Sequence, residues 1–116
     1  MQITLMKSKL HKAKVTETLI DYEGSIAIDE DLMEAAGILP NEQVHIFDIN
    51  NGQRFITYAI IGTRGSKTIA VNGAAARLVH INDRIIIVAY GIMGLEEAKS
   101  FHPKVILLDS NNNAAG

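Results

Sequence analysis

Four consecutive residues, Ile85-Ile86-Ile87-Val88, constrain the fold of this chain more than any other stretch. A run that is apolar at every position, inside the segment Arg84 to Tyr90, reads as a strand covered on both faces. Strand signals recur on either side of it. Lys14 to Leu19, Ser25 to Ile28, Gln43 to Ile49, Arg54 to Ile61, Lys67 to Val71 and Lys104 to Asp109 are short β-prone pieces, and Asn51-Gly52 is a hairpin turn signal between two of them. Pro103 is tolerable at the edge of the last one. With 116 residues, 47% of them hydrophobic, one domain is expected. Only 5% are aromatic and none is Trp, so the core must be built from Ile, Val, Leu and Ala.

Helical signals are short. Asp29 to Ala36 carries acids in its first turn and stops at Gly37. Gly73 to Val79 follows Asn72, a residue suited to capping a helix start. Leu95 to Phe101 ends before Pro103. A faint repeat joins two of these regions: Ala35, Ile38, Asn41, Glu42, Val44 and Ile46 match Ala76, Val79, Asn82, Asp83, Ile85 and Ile87. Two such copies are too few for a solenoid, but they suit a pseudo-symmetric barrel of interlocked halves, with chance resemblance as the alternative. Many strands and few short helices favour a small mostly-β barrel over a sandwich. Residues 110–116, a polar Ser-Asn-Ala-Gly stretch, are expected to form a disordered tail beyond a domain of residues 1–109.

Composition excludes several functions. A net charge of −2 argues against nucleic acid as partner. No apolar run approaches a membrane span, and the N-terminus lacks the order of a signal peptide, so a soluble cytoplasmic protein is expected. Without cysteine there is no disulfide, thiol nucleophile or Cys-based metal site. His11, His45, His80 and His102 are dispersed, so no metal is expected, and neither a phosphate loop nor a G-x-G-x-x-G run is present.

Four polar motifs remain, each with an ordinary reading beside a chemical one. In Tyr22-Glu23-Gly24-Ser25 the glycine leaves the carbonyl before Ser25 sterically open, the condition for an acyl shift from nitrogen to oxygen; most Gly-Ser pairs are simply turns. Lys9-Leu10-His11 is either a solvated strand entrance or a cationic cluster. In Arg54-Phe55-Ile56-Thr57-Tyr58, alternation puts Arg54, Ile56 and Tyr58 on one face and Phe55 and Thr57 on the other. Asn72-Gly73-Ala74-Ala75-Ala76 is a capped helix start, or free backbone N–H groups offered to an anion. A Ser25–His11 hydrolase is a weak third option, because the G-x-S-x-G elbow is missing.

Taken together, Ser8-Lys9-Leu10-His11, Tyr22-Glu23-Gly24-Ser25, Asn51 to Tyr58 and Val71 to Ala76 resemble the L-aspartate 1-decarboxylase family, over nearly the whole chain to about Asp109. That resemblance implies a six-stranded double-psi β-barrel with short helices, assembled as a homotetramer. It implies a proenzyme that cleaves itself between Gly24 and Ser25 into chains 1–24 and 25–116, turning Ser25 into a covalent pyruvoyl cofactor. L-aspartate would then condense with that group as a Schiff base and lose its α-carboxylate, giving β-alanine for pantothenate synthesis. The implied roles are Ser25 as cofactor precursor, Tyr58 as proton donor, and Thr57 in self-cleavage and substrate contact. Lys9, Arg54 and the Gly73-Ala74-Ala75 backbone would bind substrate, with His11, Tyr22 and Asn72 in support. Ile56 departs from the small polar residue common in the family, and Asn82-Asp83 from Gly-Asp. The competing class is a non-catalytic double-psi barrel used for protein recognition, which has no need of Gly24-Ser25, Arg54 and Tyr58 together.

Overall fold

The computed structural model describes residues 1–115. Its strands are β1 (Gln2–Lys14), β2 (Glu17–Leu19), β3 (Ser25–Asp29), β4 (Gln43–Asp48), β5 (Arg54–Gly62), β6 (Ile69–Asn72), β7 (Arg84–Gly94) and β8 (Lys104–Leu107). Helices α1 (Glu30–Ala36) and α2 (Leu95–Ser100) and a 3-10 helix at Gly73–Arg77 complete it. The Ile85–Val88 run lies in β7, between β4 and β1. Ile85, Ile87 and Val88 are buried and Ile86 half-buried, so the expectation of cover on both faces holds.

The sheet order is β2-β6-β3-β5-β4-β7-β1-β8. β1 and β2 are separated only by Val15 and Thr16, which are themselves tied to neighbouring strands: Val15 N–H to Asp83 O at 2.9 Å and Thr16 N–H to Ile69 O at 2.8 Å. The segment 2–19 is therefore one extended strand that pairs with β7 at one end and β6 at the other. It closes a ring of six strands, with β8 added outside on β1. Eight segments thus reduce to the six barrel strands expected. Inside are Leu10, Val15, Ile26, Ile28, Val44, Ile46, Ile69, Val71, Ile85 and Ile87, all fully buried. A core of branched aliphatics without large aromatics suits so narrow a barrel.

The repeat has a geometric counterpart. Asn41 (φ 71°) and Asn82 (φ 78°) are both left-handed, a conformation Asn tolerates better than most residues. Asn41 N–H donates to Ala59 O and Ala59 N–H to Glu42 O; likewise Asn82 N–H donates to Val15 O and Val15 N–H to Asp83 O. The acids match too, because Glu42 accepts from Leu39 N–H at 2.9 Å and Asp83 from His80 N–H at 3.0 Å. Each half thus feeds a short helix through an Asn-acid turn into an antiparallel strand, β4 or β7, and these two strands pair with each other.

Three expectations fail. The N-terminal strand begins at Gln2, not at Lys14, because Lys7, Lys9 and Lys12 hide a strand whose Leu10 is buried. Asn72 does not cap the 3-10 helix with its side chain. The tail is held: Asn112 is 1% exposed, accepts from Lys14 N–H at 2.7 Å and donates to Lys14 O and Lys67 O at 2.9 and 3.0 Å. Ala115 N–H closes on Leu107 O, and Gly116 lies outside the described residues. No helix among the described residues is long and apolar enough to cross a membrane.

Candidate active site

Pairing across the strands decides which side chains meet. β3 runs between β5 and β6, with Ile26 opposite Ala59 on one side and Ser25 opposite Asn72 on the other. The parallel β3–β5 pairing begins at Ile26–Ala59, and Ser25 and Tyr58 are the residues that immediately precede these two on their strands. Paired residues share a face of the sheet, so Ser25 and Asn72 stand together on the barrel's outer face, and alternation from the inward Ala59 puts Tyr58 on that face of β5. Thr57 is paired with Val44, on the opposite face from Tyr58.

Ser25 is only 1% exposed although its strand side faces outward, and Tyr58 is 37% exposed. Asn72 Nδ2 donates to Ser25 Oγ at 3.1 Å, and the Ser25 hydroxyl has a long contact to Glu23 O at 3.4 Å. The amide that fails to cap its helix is thus spent on the serine. Its Oδ1 is buried without a donor, an unusual cost for a native amide. Gly73, at φ 73°, packs its α-carbon side against Gly24. A trough of about 350 Å³ opens beside the Ser25–Asn72 pair, floored by Ala27 and Ala70 and rimmed by Tyr22, Ile60 and Asn72. Ala74 is exposed and Ala75 half-buried at the start of the 3-10 helix.

The cationic residues stand on the same outer face but farther round. Arg54 pairs with Phe47, Phe47 with Ile86 and Ile86 with His11; one step along, Ile56, His45, Val88 and Lys9 make a parallel row. Arg54 and Tyr58 are four residues apart on β5, about 13 Å at 3.3 Å per residue. The Arg54 guanidinium lies over the Phe47 ring, 4.8 Å from its centre, on the side of β5 away from β3. Among the described residues neither Lys9 nor Arg54 has a carboxylate partner. His11 is held below its ordinary value by burial and by Lys9 and Lys12, and its Nδ1 is buried without a partner. Ile56 is 59% exposed between Arg54 and Tyr58, and Tyr90 and Ile92 add to an apolar outer surface.

One chain therefore gathers Tyr22, Gly24, Ser25, Asn72 and Gly73, with Tyr58 on the outer face of the neighbouring strand and Thr57 on its inner face, and sets Lys9, His11 and Arg54 farther round the barrel. Phe47 was not among the residues singled out by motif. The β4–β5 register pairs it with Arg54; counting outward from Asn51-Gly52 would have set Ile49 there instead, so the turn motif does not find it.

Comparison with known proteins gives one consistent result. A family model described as aspartate decarboxylase matches residues 1–115. A protein of Acetivibrio thermocellus named aspartate 1-decarboxylase is 63% identical over 112 residues, covering 97% of this chain and 89% of its own. Proteins of the same name from Phenylobacterium zucineum and Caulobacter vibrioides are 59% and 60% identical, each covering 97% of this chain and 95% of their own.

Proposed function

The chain belongs to the aspartate decarboxylase family, and on that premise we propose that it decarboxylates L-aspartate to β-alanine with a pyruvoyl group made by its own cleavage at Gly24-Ser25. The observation that carries this reading is the Ser25–Asn72 pair. A buried hydroxyl follows a glycine carbonyl, with an amide donor on its oxygen and the phenol of Tyr58 on the same face of the neighbouring strand. The Ser25 oxygen attacks the Gly24 carbonyl carbon, the C–N bond breaks as a C–O bond forms, and the proton leaves the hydroxyl for the nitrogen. β-Elimination from residue 25 then releases the chain ending at Gly24 as a carboxylate. Uptake of water and loss of ammonia leave the pyruvoyl group.

The residues fit such a group. Position 25 is buried, no amine side chain pairs with it, and Asn72 offers one donor together with one unsatisfied acceptor. Once formed, the ketone supplies an electrophile for an amine and a sink for the electrons of a departing carboxylate, work otherwise done by a bound organic cofactor. The protein's own residues do the rest. Arg54 presents a planar fork to a carboxylate, and Lys9 a second positive charge. Tyr58 holds a proton on its phenol oxygen, adjacent to residue 25, for delivery to the substrate carbon that loses carboxylate. Thr57 is assigned to the cleavage carbonyl and to substrate contact, and the Gly73-Ala74-Ala75 backbone offers N–H groups to substrate. Tyr22 lines the approach, and His11, two residues along β1 from Lys9, acts with that anchor.

Arg54 stacks away from Ser25 of its own chain, so the carboxylate anchors reach residue 25 only from a neighbouring copy. This favours the homotetramer, with the exposed Ile56, Tyr58, Tyr90 and Ile92 as material for contact. The setting is the cytoplasm, where β-alanine serves pantothenate synthesis. The test is to follow cleavage and aspartate turnover in one freshly purified sample. Equal amounts of β-alanine and carbon dioxide should appear at a rate proportional to the cleaved fraction. Turnover by a fully uncleaved preparation would overturn the reading.

A further inference from the structure

Crowding around the Gly24-Ser25 junction falls on Gly73 and not on Gly24. A methyl group at Gly24 would meet nothing within 4 Å, and its φ is not left-handed. At Gly73, by contrast, a Cβ would stand 2.6 Å from Gly24 Cα, 2.7 Å from Gly24 N and 2.9 Å from Tyr22 O. Those are backbone atoms, unable to swing aside as a side-chain end would. Gly73 follows directly on Asn72, whose amide holds Ser25 Oγ. The dipeptide Asn72-Gly73 thus grips both partners of the acyl shift, the oxygen through a hydrogen bond and the glycine through bare contact.

We propose that Gly73 is a positioning residue for self-cleavage: its bare α-carbon is the stop against which Gly24 rests, fixing the Gly24 carbonyl at the distance from which Ser25 Oγ attacks. This rests on the self-processing reading and adds to it the residue that sets the geometry of the first step. Relieving a 2.6 Å contact to an ordinary one near 3.4 Å or more requires Gly24 to move by about 1 Å. A displacement of that size costs roughly 10²-fold in a step that depends on alignment.

The experiment compares cleavage rates, by intact mass, of freshly made wild type, Gly73→Ala and Gly37→Ala. Gly37 is the control because it too is left-handed, at φ 69°, but a Cβ there meets nothing within 4 Å. Both variants carry the backbone strain of a side chain at positive φ; only Gly73→Ala carries the collision. The expected result is cleavage about 10²-fold slower in Gly73→Ala and unchanged in Gly37→Ala, compared at a temperature where both variants are folded. Cleavage of Gly73→Ala at the wild-type rate, or equal slowing in Gly37→Ala, overturns the proposal. Should Gly73→Ala fail to fold, one glycine inserted between Ile20 and Asp21, in an exposed turn, frees Gly24 to retreat without adding a Cβ. That variant should also cleave slowly, and wild-type cleavage in it would refute the positioning role. If wild type itself never cleaves, the self-processing reading fails instead, and the two failures are distinct.

Discussion

Replacing Asp48 by Asn should stabilise the protein, and only above the acidic range. Asp48 ends β4 with 2% exposure. Its Oδ1 accepts from Asn50 and Asn51 N–H groups at 2.8 and 3.2 Å, but its Oδ2 is buried with no N–H donor and faces the Asp83 carboxyl. Burial, and then the neighbouring Asp83 carboxyl, push the Asp48 carboxyl from 3.8 up to about 6. A carboxyl whose folded value is raised binds more protons folded than unfolded, so stability falls as pH rises from about 4 to about 6 and stays lowered above that. The shift corresponds to about 3 kcal/mol in full. An Asn at 48 keeps the acceptor for residues 50 and 51 and offers Asp83 an N–H, which removes the conflict. Urea unfolding of Asp48→Asn should show a gain of roughly 1–3 kcal/mol at pH 8 and almost none at pH 4. The comparison is made at one protein concentration, in a Ser25→Ala background that keeps the chain whole. Destabilisation at pH 8, or an unchanged pH profile, would refute the reading of Asp48 as a buried carboxyl in conflict with Asp83.

Tyr58→Phe should still cleave itself and still bind aspartate, while turnover falls roughly 10²–10⁴-fold; single-turnover release of β-alanine at the wild-type rate would exclude the phenol as donor. Arg54→Lys keeps the charge but loses the planar fork and its seat on Phe47, and kcat/KM should drop roughly 10–100-fold. Mixing inactive Arg54→Ala with inactive Ser25→Ala subunits should restore part of the activity if the anchor comes from a neighbouring copy, and no recovery places both groups in one chain. Asn112→Ala strands Lys14 N–H, Lys14 C=O and Lys67 C=O; a loss of roughly 2–4 kcal/mol in urea unfolding is expected, and no loss would make the tail contacts incidental.

Where sequence and structure agree, the reason is local. The apolar run of β7, the Asn51-Gly52 turn and the acid-first helix at Glu30 each carry their own signal, and the alternation of Arg54, Ile56 and Tyr58 survives in the register. The paired Asn-acid turns were visible as spacing, but only their matching hydrogen bonds separate repetition from chance. What stayed illegible depends on distant partners. β1 is lysine-rich and looks solvated until β7 covers Leu10. Asn72 carries a good cap signal, yet a buried serine competes for the same amide and wins. Asn112 sits in polar low-complexity chain, and its role comes from two backbone segments 98 and 45 residues away. The separation of Arg54 from Ser25 has no sequence signature, because motif spacing is blind to which way a guanidinium stacks.

Self-cleavage is the claim on which the rest depends, and intact-mass spectrometry of wild type beside Ser25→Ala measures it directly. Wild type should resolve into a fragment ending at Gly24 and one beginning at a pyruvoyl group, their masses summing to the whole chain plus one water less one ammonia. Ser25→Ala should remain a single species and leave aspartate untouched. A wild-type chain that stays whole while turning over aspartate, or a Ser25→Ala protein with full activity, would contradict the account.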